Sequence, residues 1–144
     1  MASIKKYPLL LFTLLLCHCQ PAHHNKKGIE AAMHYYDHLI KNVDADSIAM
    51  LFTTDGNLSG MAKGRDSIKK FLTAFKNVWV LSQTSTTIAI TINGDSAIQN
   101  GNYYQTVVIN QKDTLKVKGK YVANWLWLKN EGWHIKRMTT EPMK

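Results

Sequence analysis

The sequence predicts an α+β domain in which three N-terminal helices pack on a strongly curved antiparallel sheet. Apolar residues recur at helical spacing in the first half of the chain, and this period changes to two from about residue 77 onward. Two aromatic-rich runs near the end of the chain are joined by a short polar turn, which predicts a closing hairpin. Helices followed by a run of strands are typical of an α+β layer.

The N-terminal residues have the pattern of a targeting signal. Lys5 and Lys6 precede an apolar run at 8–16, which is too short to span a membrane as an ordinary helix and is typical of an export signal. Cys17 and Cys19 follow this run and are the only cysteines of the chain. This pattern resembles that of bacterial lipoproteins, with Cys19 as the lipidated residue and Cys17 as the alternative.

The chain is accordingly divided into three parts. We expect an export signal at 1–19, a polar tether at 20–27 and one domain at 28–144. Ordinary signal cleavage near Ala22 is the alternative to lipidation. In either case we expect an exported protein, periplasmic or associated with the outer membrane.

Composition limits the chemistry of the domain. A body without cysteine has no disulfide, no thiolate nucleophile and no cysteine-based zinc site. The net charge of +8 comes from lysines spread along the chain rather than gathered in one motif, so we expect no nucleic-acid partner. Membrane contact is expected only through an N-terminal lipid anchor.

The first predicted helix covers 28–42 and buries Tyr36 with other apolar residues at helical spacing. Its opposite side has the charge pattern of a solvated surface. The residues assigned to that side are Glu30, His34, Asp37, His38 and Lys41. His34 and His38 lack a third ligand nearby, so no metal site is predicted.

Two shorter helices follow. Asp44 is expected to cap a second helix that stops near Thr54, and a short extended piece is expected around Leu58. Asp66 favours the first turn of a third helix, which buries an apolar stripe ending at Phe75.

Four long strands complete the predicted domain, at about 77–92, 95–110, 113–129 and 132–140. In the third strand, alternation directs the lysines to water and Tyr121 toward the helices. The lysines so assigned are Lys116, Lys118 and Lys120.

Several short segments of the chain are informative together, namely 51–55, 64–68, 119–121, Trp125, 132–133 and Ile135. In combination they resemble a known family, the SnoaL-like domains of the nuclear-transport-factor-2-like superfamily. The resemblance covers 28–140 and implies a cystatin-like cone. Such domains include ketosteroid isomerases, polyketide cyclases, dehydratases and noncatalytic pocket or association domains, and they commonly form homodimers through the outer sheet face.

An isomerase needs a carboxylate base and a neutral acid for the developing oxyanion. By resemblance, Tyr36 occupies the position of the oxyanion tyrosine. The position of the base falls at Gly60 and that of the second acid falls near Ala123 or Asn124. No catalytic set is therefore assigned, and Tyr36 with Asp55 is kept as the alternative catalytic pair.

Aromatic and polar side chains of the sheet and first helix are the candidate ligand-binding residues, although core packing explains the aromatic ones almost as well. They are Tyr36, Trp79, Tyr103, Tyr121, Trp125 and Arg137. Arg137 is expected to point inward, toward either a ligand anion or a carboxylate of Glu30, Asp37 or Asp55.

The sequence thus predicts an exported, noncatalytic domain that binds a small apolar molecule or associates with itself, without cofactor or metal. The alternative is a cyclase-, isomerase- or hydrolase-like enzyme that acts on a small apolar substrate in the same pocket.

Overall fold

A computed structural model describes residues 24–75 and 77–143 of the chain. The predicted export signal at 1–19, with Cys17 and Cys19, lies outside the described residues.

Three helices precede the long strands, as predicted. They are α1 (Lys26–Asn42), α2 (Ala45–Leu51) and α3 (Arg65–Thr73). The side-chain oxygen of Asn25 accepts a hydrogen bond from Gly28 N and caps α1. Asp44 caps α2 as predicted, because its carboxylate accepts a hydrogen bond from Ser47 N at 3.1 Å.

The first two helices have other boundaries than predicted. Helix α1 begins at Lys26 rather than at residue 28. Helix α2 ends at Leu51 rather than near Thr54, since Phe52 already has extended backbone and starts a strand.

Six strands of the described part of the chain form one sheet. They are β1 (Phe52–Leu58), β2 (Ala62–Lys63), β3 (Val78–Asn93), β4 (Ser96–Ile109), β5 (Asp113–Leu128) and β6 (Gly132–Pro142). The strand order is β2-β1-β6-β5-β4-β3. The pairing of β1 with β6 is parallel, and all others are antiparallel. The sheet is therefore mixed, and it is not strongly curled, which corrects the prediction of a strongly curved antiparallel sheet.

A β-bulge in β6 changes which residues face the helices. Ile135 pairs with Trp125, but the next pair joins Arg137 to Asn124, so Lys136 is an extra residue in β6. Lys136 and Arg137 are consequently both exposed, and Met138 is buried. The prediction that Arg137 points inward is wrong for this reason, because it assumed unbroken alternation from Trp133.

The core lies between the three helices and one face of the sheet. Each helix contributes a fully buried isoleucine, namely Ile29, Ile48 and Ile68. Phe52 and Ile135 meet them from β1 and β6. Within the ranges 24–75 and 77–143, none of the helices combines the length and apolar character needed to cross a membrane.

Candidate functional site

A cavity of about 300 Å³ lies between the helices and the sheet. Its apolar wall is formed by side chains of α1, β1, α3, β6 and adjoining turns, namely Met33, Ile40, Leu58, Met61, Phe71, Phe75 and Met138. Its polar lining residues are Tyr36, Ser59, Gln83, Ser85, Tyr103, Gln105, Tyr121 and Thr140. Apolar side chains combined with convergent polar groups are typical of small-molecule sites.

Two glycines let tyrosine rings lie flat on the sheet beside this cavity. Gly101 pairs with Tyr121 and Gly119 pairs with Tyr103, so the two pairs alternate between β4 and β5. A Cβ added at Gly101 would lie 2.7 Å from the Tyr121 ring, and one at Gly119 would lie 2.4 Å from the Tyr103 ring. Glycine at these positions thus permits the close approach that forms the cavity floor.

The hydroxyl group of Tyr121 is a buried polar group of the site. Tyr121 is only 3% exposed, and its Oη has no hydrogen-bond partner among residues 24–75 and 77–143. Burial raises the pKa of this phenol. The nearby Thr87 side chain offsets part of this rise, but its geometry is too poor for a hydrogen bond. Tyr121 is therefore a neutral donor that lacks an acceptor.

Tyr36 supplies a second neutral phenol from α1. Its pKa is raised far above the ordinary value of 10.0, first by burial and then by the neighbouring charge of Asp37. Tyr36 is one of the residues that line the cavity. The structure thus brings together three of the predicted ligand-binding residues, Tyr36, Tyr103 and Tyr121.

A buried carboxylate next to the cavity was missed by sequence reasoning. Asp37 was assigned to the solvated side of α1, yet it is only 6% exposed. Its Oδ2 accepts a hydrogen bond from Ser85 N at 2.7 Å, and its Oδ1 accepts from Ser85 Oγ at 2.7 Å and from Gln83 Nε2 at 3.1 Å. The carboxylate joins α1 to β3 and orients Gln83 and Ser85 at the cavity wall.

Trp125 lies in the core beneath the site rather than in the cavity lining. Its Nε1 donates a hydrogen bond to Gln99 Oε1 at 3.0 Å, and Gln99 Nε2 donates to Thr87 Oγ1 at 2.8 Å. Trp125 and Gln99 are both fully buried. Every polar group of this pair is used within the protein, so Trp125 serves packing here.

The remaining predicted residues lie elsewhere. Trp79 is 41% exposed near the start of β3, and Arg137 is exposed on the outer sheet face because of the β6 bulge. Asp55 forms an ion pair with Lys136, which holds the pKa of Asp55 below its ordinary range, with a further hydrogen bond from Thr53. Asp55 and Tyr36 therefore do not form one site, which removes the geometry of the alternative catalytic pair.

Among residues 24–75 and 77–143, no group of three or more His, Cys, Asp or Glu side chains is arranged to hold a metal ion. His34 and His38 are exposed on α1, and His38 contacts Asn42 of the same helix.

Comparison with known proteins identifies the family. Residues 23–139 match the SnoaL-like domain. The chain belongs to the SnoaL-like domain family. This family includes isomerases, dehydratases and proteins of unknown function. No protein of curated function matches the sequence.

Solved structures support the same nuclear-transport-factor-2-like, cystatin-like fold. A ketosteroid isomerase-like protein from Erwinia carotovora atroseptica is 17% identical with a TM-score of 0.72, and the match covers 82% of this chain and 95% of that chain. A protein of unknown function from Mycobacterium tuberculosis is 19% identical with a TM-score of 0.73, covering 82% and 76%. An NTF2-like protein with a cystatin-like fold from Novosphingobium aromaticivorans is 17% identical with a TM-score of 0.66, covering 82% and 81%. At these identities the likeness concerns the fold alone.

Proposed function

We propose that this SnoaL-like domain binds a small, mostly apolar and uncharged molecule in the cavity and does not transform it. The observation that carries the proposal is the pair of neutral tyrosines, Tyr36 and Tyr121, in the lining of a cavity whose described walls combine apolar and uncharged polar side chains. The buried Tyr121 hydroxyl is unsatisfied, and leaving a buried donor without a partner costs about 1–3 kcal/mol. A carbonyl, ether or hydroxyl oxygen of a ligand would supply the missing acceptor after a small movement that exposes the Tyr121 hydroxyl, whose oxygen is buried in this structure.

The charge of the lining supports an uncharged ligand. No Asp, Glu, His, Lys or Arg side chain is among the described residues that line the cavity. A charged ligand would lose its hydration there without gaining a counter-ion, which is costly. The volume of about 300 Å³ is at the lower end of the range for small-molecule sites, which favours a small ligand.

The same lining supports binding without turnover. General acid–base chemistry needs a group that can exchange a proton near neutral pH, within hydrogen-bonding reach of the substrate. The phenols of Tyr36 and Tyr121 are held neutral by their raised pKa values. The buried carboxylate of Asp37 already accepts three hydrogen bonds from the cavity-lining residues Gln83 and Ser85 of β3.

A ketone and its parent hydrocarbon test this proposal directly. We expect 1-tetralone to bind more tightly than tetralin in an NMR titration, because only the ketone offers an acceptor oxygen. Tyr121→Phe should reduce this preference by about tenfold, the equivalent of one hydrogen bond of about 1.4 kcal/mol.

The matched control is Tyr104→Phe on the same sheet, since Tyr104 is 51% exposed and lies outside the cavity. We expect Tyr104→Phe to keep the preference for the ketone. Equal binding of ketone and hydrocarbon by the unaltered protein would refute the role of the tyrosines. A native mass spectrum of freshly purified protein would reveal any ligand that is retained from the host, and would report a monomer or the homodimer that we propose by family resemblance.

We further propose that the domain acts after export and is anchored by a lipid. The support is the sequence alone, namely Lys5 and Lys6, the apolar run at 8–16 and the cysteines that follow. We expect the mature protein to carry an acyl mass that is lost in Cys19→Ser and retained in Cys17→Ser. The reverse result would assign Cys17, and the same unmodified mass in all three proteins would exclude lipidation.

A further inference from the structure

A second concavity of about 300 Å³ lies on the outer face of the sheet, opposite the helices. It is lined by Asp55, Asn57, Lys63, Asn124, Lys136 and Arg137. None of these residues lines the cavity between helices and sheet. This concavity is therefore separate from the ligand cavity proposed above, and it has to remain open in any homodimer that forms through the outer sheet face.

Two irregularities of neighbouring strands create this concavity. The bulge in β6 turns two consecutive cations, Lys136 and Arg137, to the same side of the sheet. In the adjacent strand the register moves from the Phe52–Ile135 pair to the Asn57–Arg137 pair, so β1 carries extra residues at the same level. Asp55 lies in this irregular segment and reaches Lys136.

The register places the polar residues in one row across four strands. Lys63 of β2 pairs with Asn57 of β1, Asn57 pairs with Arg137 of β6, and Arg137 pairs with Asn124 of β5. Adjacent strands are about 4.8 Å apart, so the backbones at Lys63 and Arg137 are about 10 Å apart with Asn57 between them. Two long cationic side chains on either side of a short amide can converge on one bound group.

The charges of the row are unbalanced. Asp55 neutralises Lys136. Lys63 and Arg137 have no ion pair with any residue in 24–75 or 77–143. The concavity thus carries two positive charges in excess.

Asn57 adds an oriented donor between these cations. Its side-chain oxygen accepts a hydrogen bond from Gly60 N at 2.8 Å, which leaves its amide nitrogen to donate.

We propose that this concavity binds the phosphate group of an organic phosphomonoester. A phosphomonoester carries about −1.5 to −2 charges at pH 7, which matches the excess of two cations, whereas a carboxylate supplies half of that charge. The guanidinium of Arg137 binds two phosphate oxygens side by side, Lys63 binds as a point charge, and the Asn57 amide donates between them. The volume leaves room for the organic part of the ligand. That part is either a soluble metabolite or a lipid with a phosphomonoester headgroup.

Glycerol 3-phosphate is the soluble probe for this site. We expect a titration at constant ionic strength, followed by ¹H–¹⁵N NMR, to give saturable shifts of the amides of Asn57, Lys63 and Arg137. The double variant Lys63→Gln/Arg137→Gln should weaken binding at least tenfold, because charge-assisted hydrogen bonds are lost. The control Lys116→Gln/Lys118→Gln removes the same charge from the same face of the sheet and should leave the affinity within about twofold.

If both double variants weakened the binding of glycerol 3-phosphate equally, the affinity would depend only on the overall charge of this face, and the proposal would be wrong. If acetate shifted the same amide signals by the same amount and with the same saturation as glycerol 3-phosphate, the site would not select phosphate, and the proposal would also be wrong. Vesicles of phosphatidylcholine with phosphatidic acid distinguish the two sources of phosphate. If the unaltered protein sediments with these vesicles and the Lys63→Gln/Arg137→Gln variant does not, the ligand is a lipid headgroup. If only the soluble ester binds, the ligand is a metabolite. If neither probe binds, the proposal is wrong.

Discussion

At the scale of single residues, the buried side chain of Asp37 connects the first helix to the sheet. It is a buried carboxylate on α1 whose three hydrogen bonds all come from β3. Hydrogen bonds to an ionised group are stronger than neutral ones and leave costly unpaired donors when they are removed. Asp37 therefore fixes the helix that carries Tyr36 against the strand that carries Gln83 and Ser85.

Replacing this carboxylate should destabilise the protein. We expect Asp37→Ala to lower the free energy of unfolding by about 3 kcal/mol, because Ser85 and Gln83 lose their acceptor in a buried setting. Urea unfolding followed by circular dichroism measures this change. The control is Asp46→Ala, which removes an exposed carboxylate paired with Lys69 and should have a much smaller effect. Equal losses in the two variants would show that the Asp37 network contributes no particular stability.

The cavity tyrosines should make stability sensitive to alkaline pH. Burial raises the pKa of Tyr36 above its value in the unfolded chain, which is near 10.0. The neutral phenol therefore stabilises the fold fully below pH 10, and this contribution is lost as pH rises beyond that value. We expect the stability of Tyr36→Phe to fall less steeply between pH 9 and 11 than the stability of the unaltered protein.

The neighbouring residue gives the control for this measurement. Tyr35 is 50% exposed on the same helix, so Tyr35→Phe should keep the alkaline loss of stability. The role assigned to Tyr36 would be excluded if thermal unfolding midpoints of both variants fell with pH along the same curve as the unaltered protein.

At the scale of elements, the alternating Gly–Tyr pairs of β4 and β5 define the floor of the cavity. The space for each ring exists only because the opposing residue has no side chain. We expect Gly119→Ala to cost about 1–3 kcal/mol through overpacking, since its Cβ would lie 2.5 Å from the backbone oxygen of Glu141 as well as against Tyr103. Urea unfolding measures this cost, and the 1-tetralone titration measures whether the altered cavity floor changes ligand binding.

A second variant separates the two contacts of Gly119. Removing the ring in Gly119→Ala/Tyr103→Ala should not restore stability, because the Glu141 carbonyl remains in place. Unchanged stability of Gly119→Ala alone would mean that the strands can separate at no cost, contrary to the close approach described here.

The elements show what sequence periodicity can predict. All three helices and the four long strands were predicted, because their periods of 3.6 and 2 extend over many residues. The direction of Arg137 was not, since a single extra residue at Lys136 reverses alternation and has no compositional signal. Similarly, the parallel pairing of β1 with β6 depends on contacts between the two ends of the domain, which no local pattern records.

The candidate site was predicted only in part, for the same physical reason. Tyr36 and Tyr121 follow from the buried phases of a helix and a strand. Asp37 was assigned to water because charged residues are seldom buried, whereas its burial is made possible by donors that lie 46 and 48 positions away. A glycine inside a strand, as at Gly101 and Gly119, was the available sign of a close approach at the cavity floor.

At the scale of the whole molecule, charge is separated between the two faces of the sheet. The cavity on the helix side is lined without ionised groups in the described part of the chain, and the outer side carries exposed cations. The latter include Lys116, Lys118 and Lys120, which alternation had correctly assigned to water. One sheet thus separates an environment suited to uncharged molecules from one suited to anions.

The position of β6 has a consequence for the order of folding. This strand is the last of the domain, yet it lies in the middle of the sheet between β1 and β5. Ser59 N donates a hydrogen bond to Met138 O at 2.6 Å across 79 positions of the chain. Until β6 is in place, β1 and β5 therefore have open edges. Contacts of such long range slow folding and unpaired edges favour aggregation, so the chain that has not yet paired β6 is the state of this domain that depends most on chaperones.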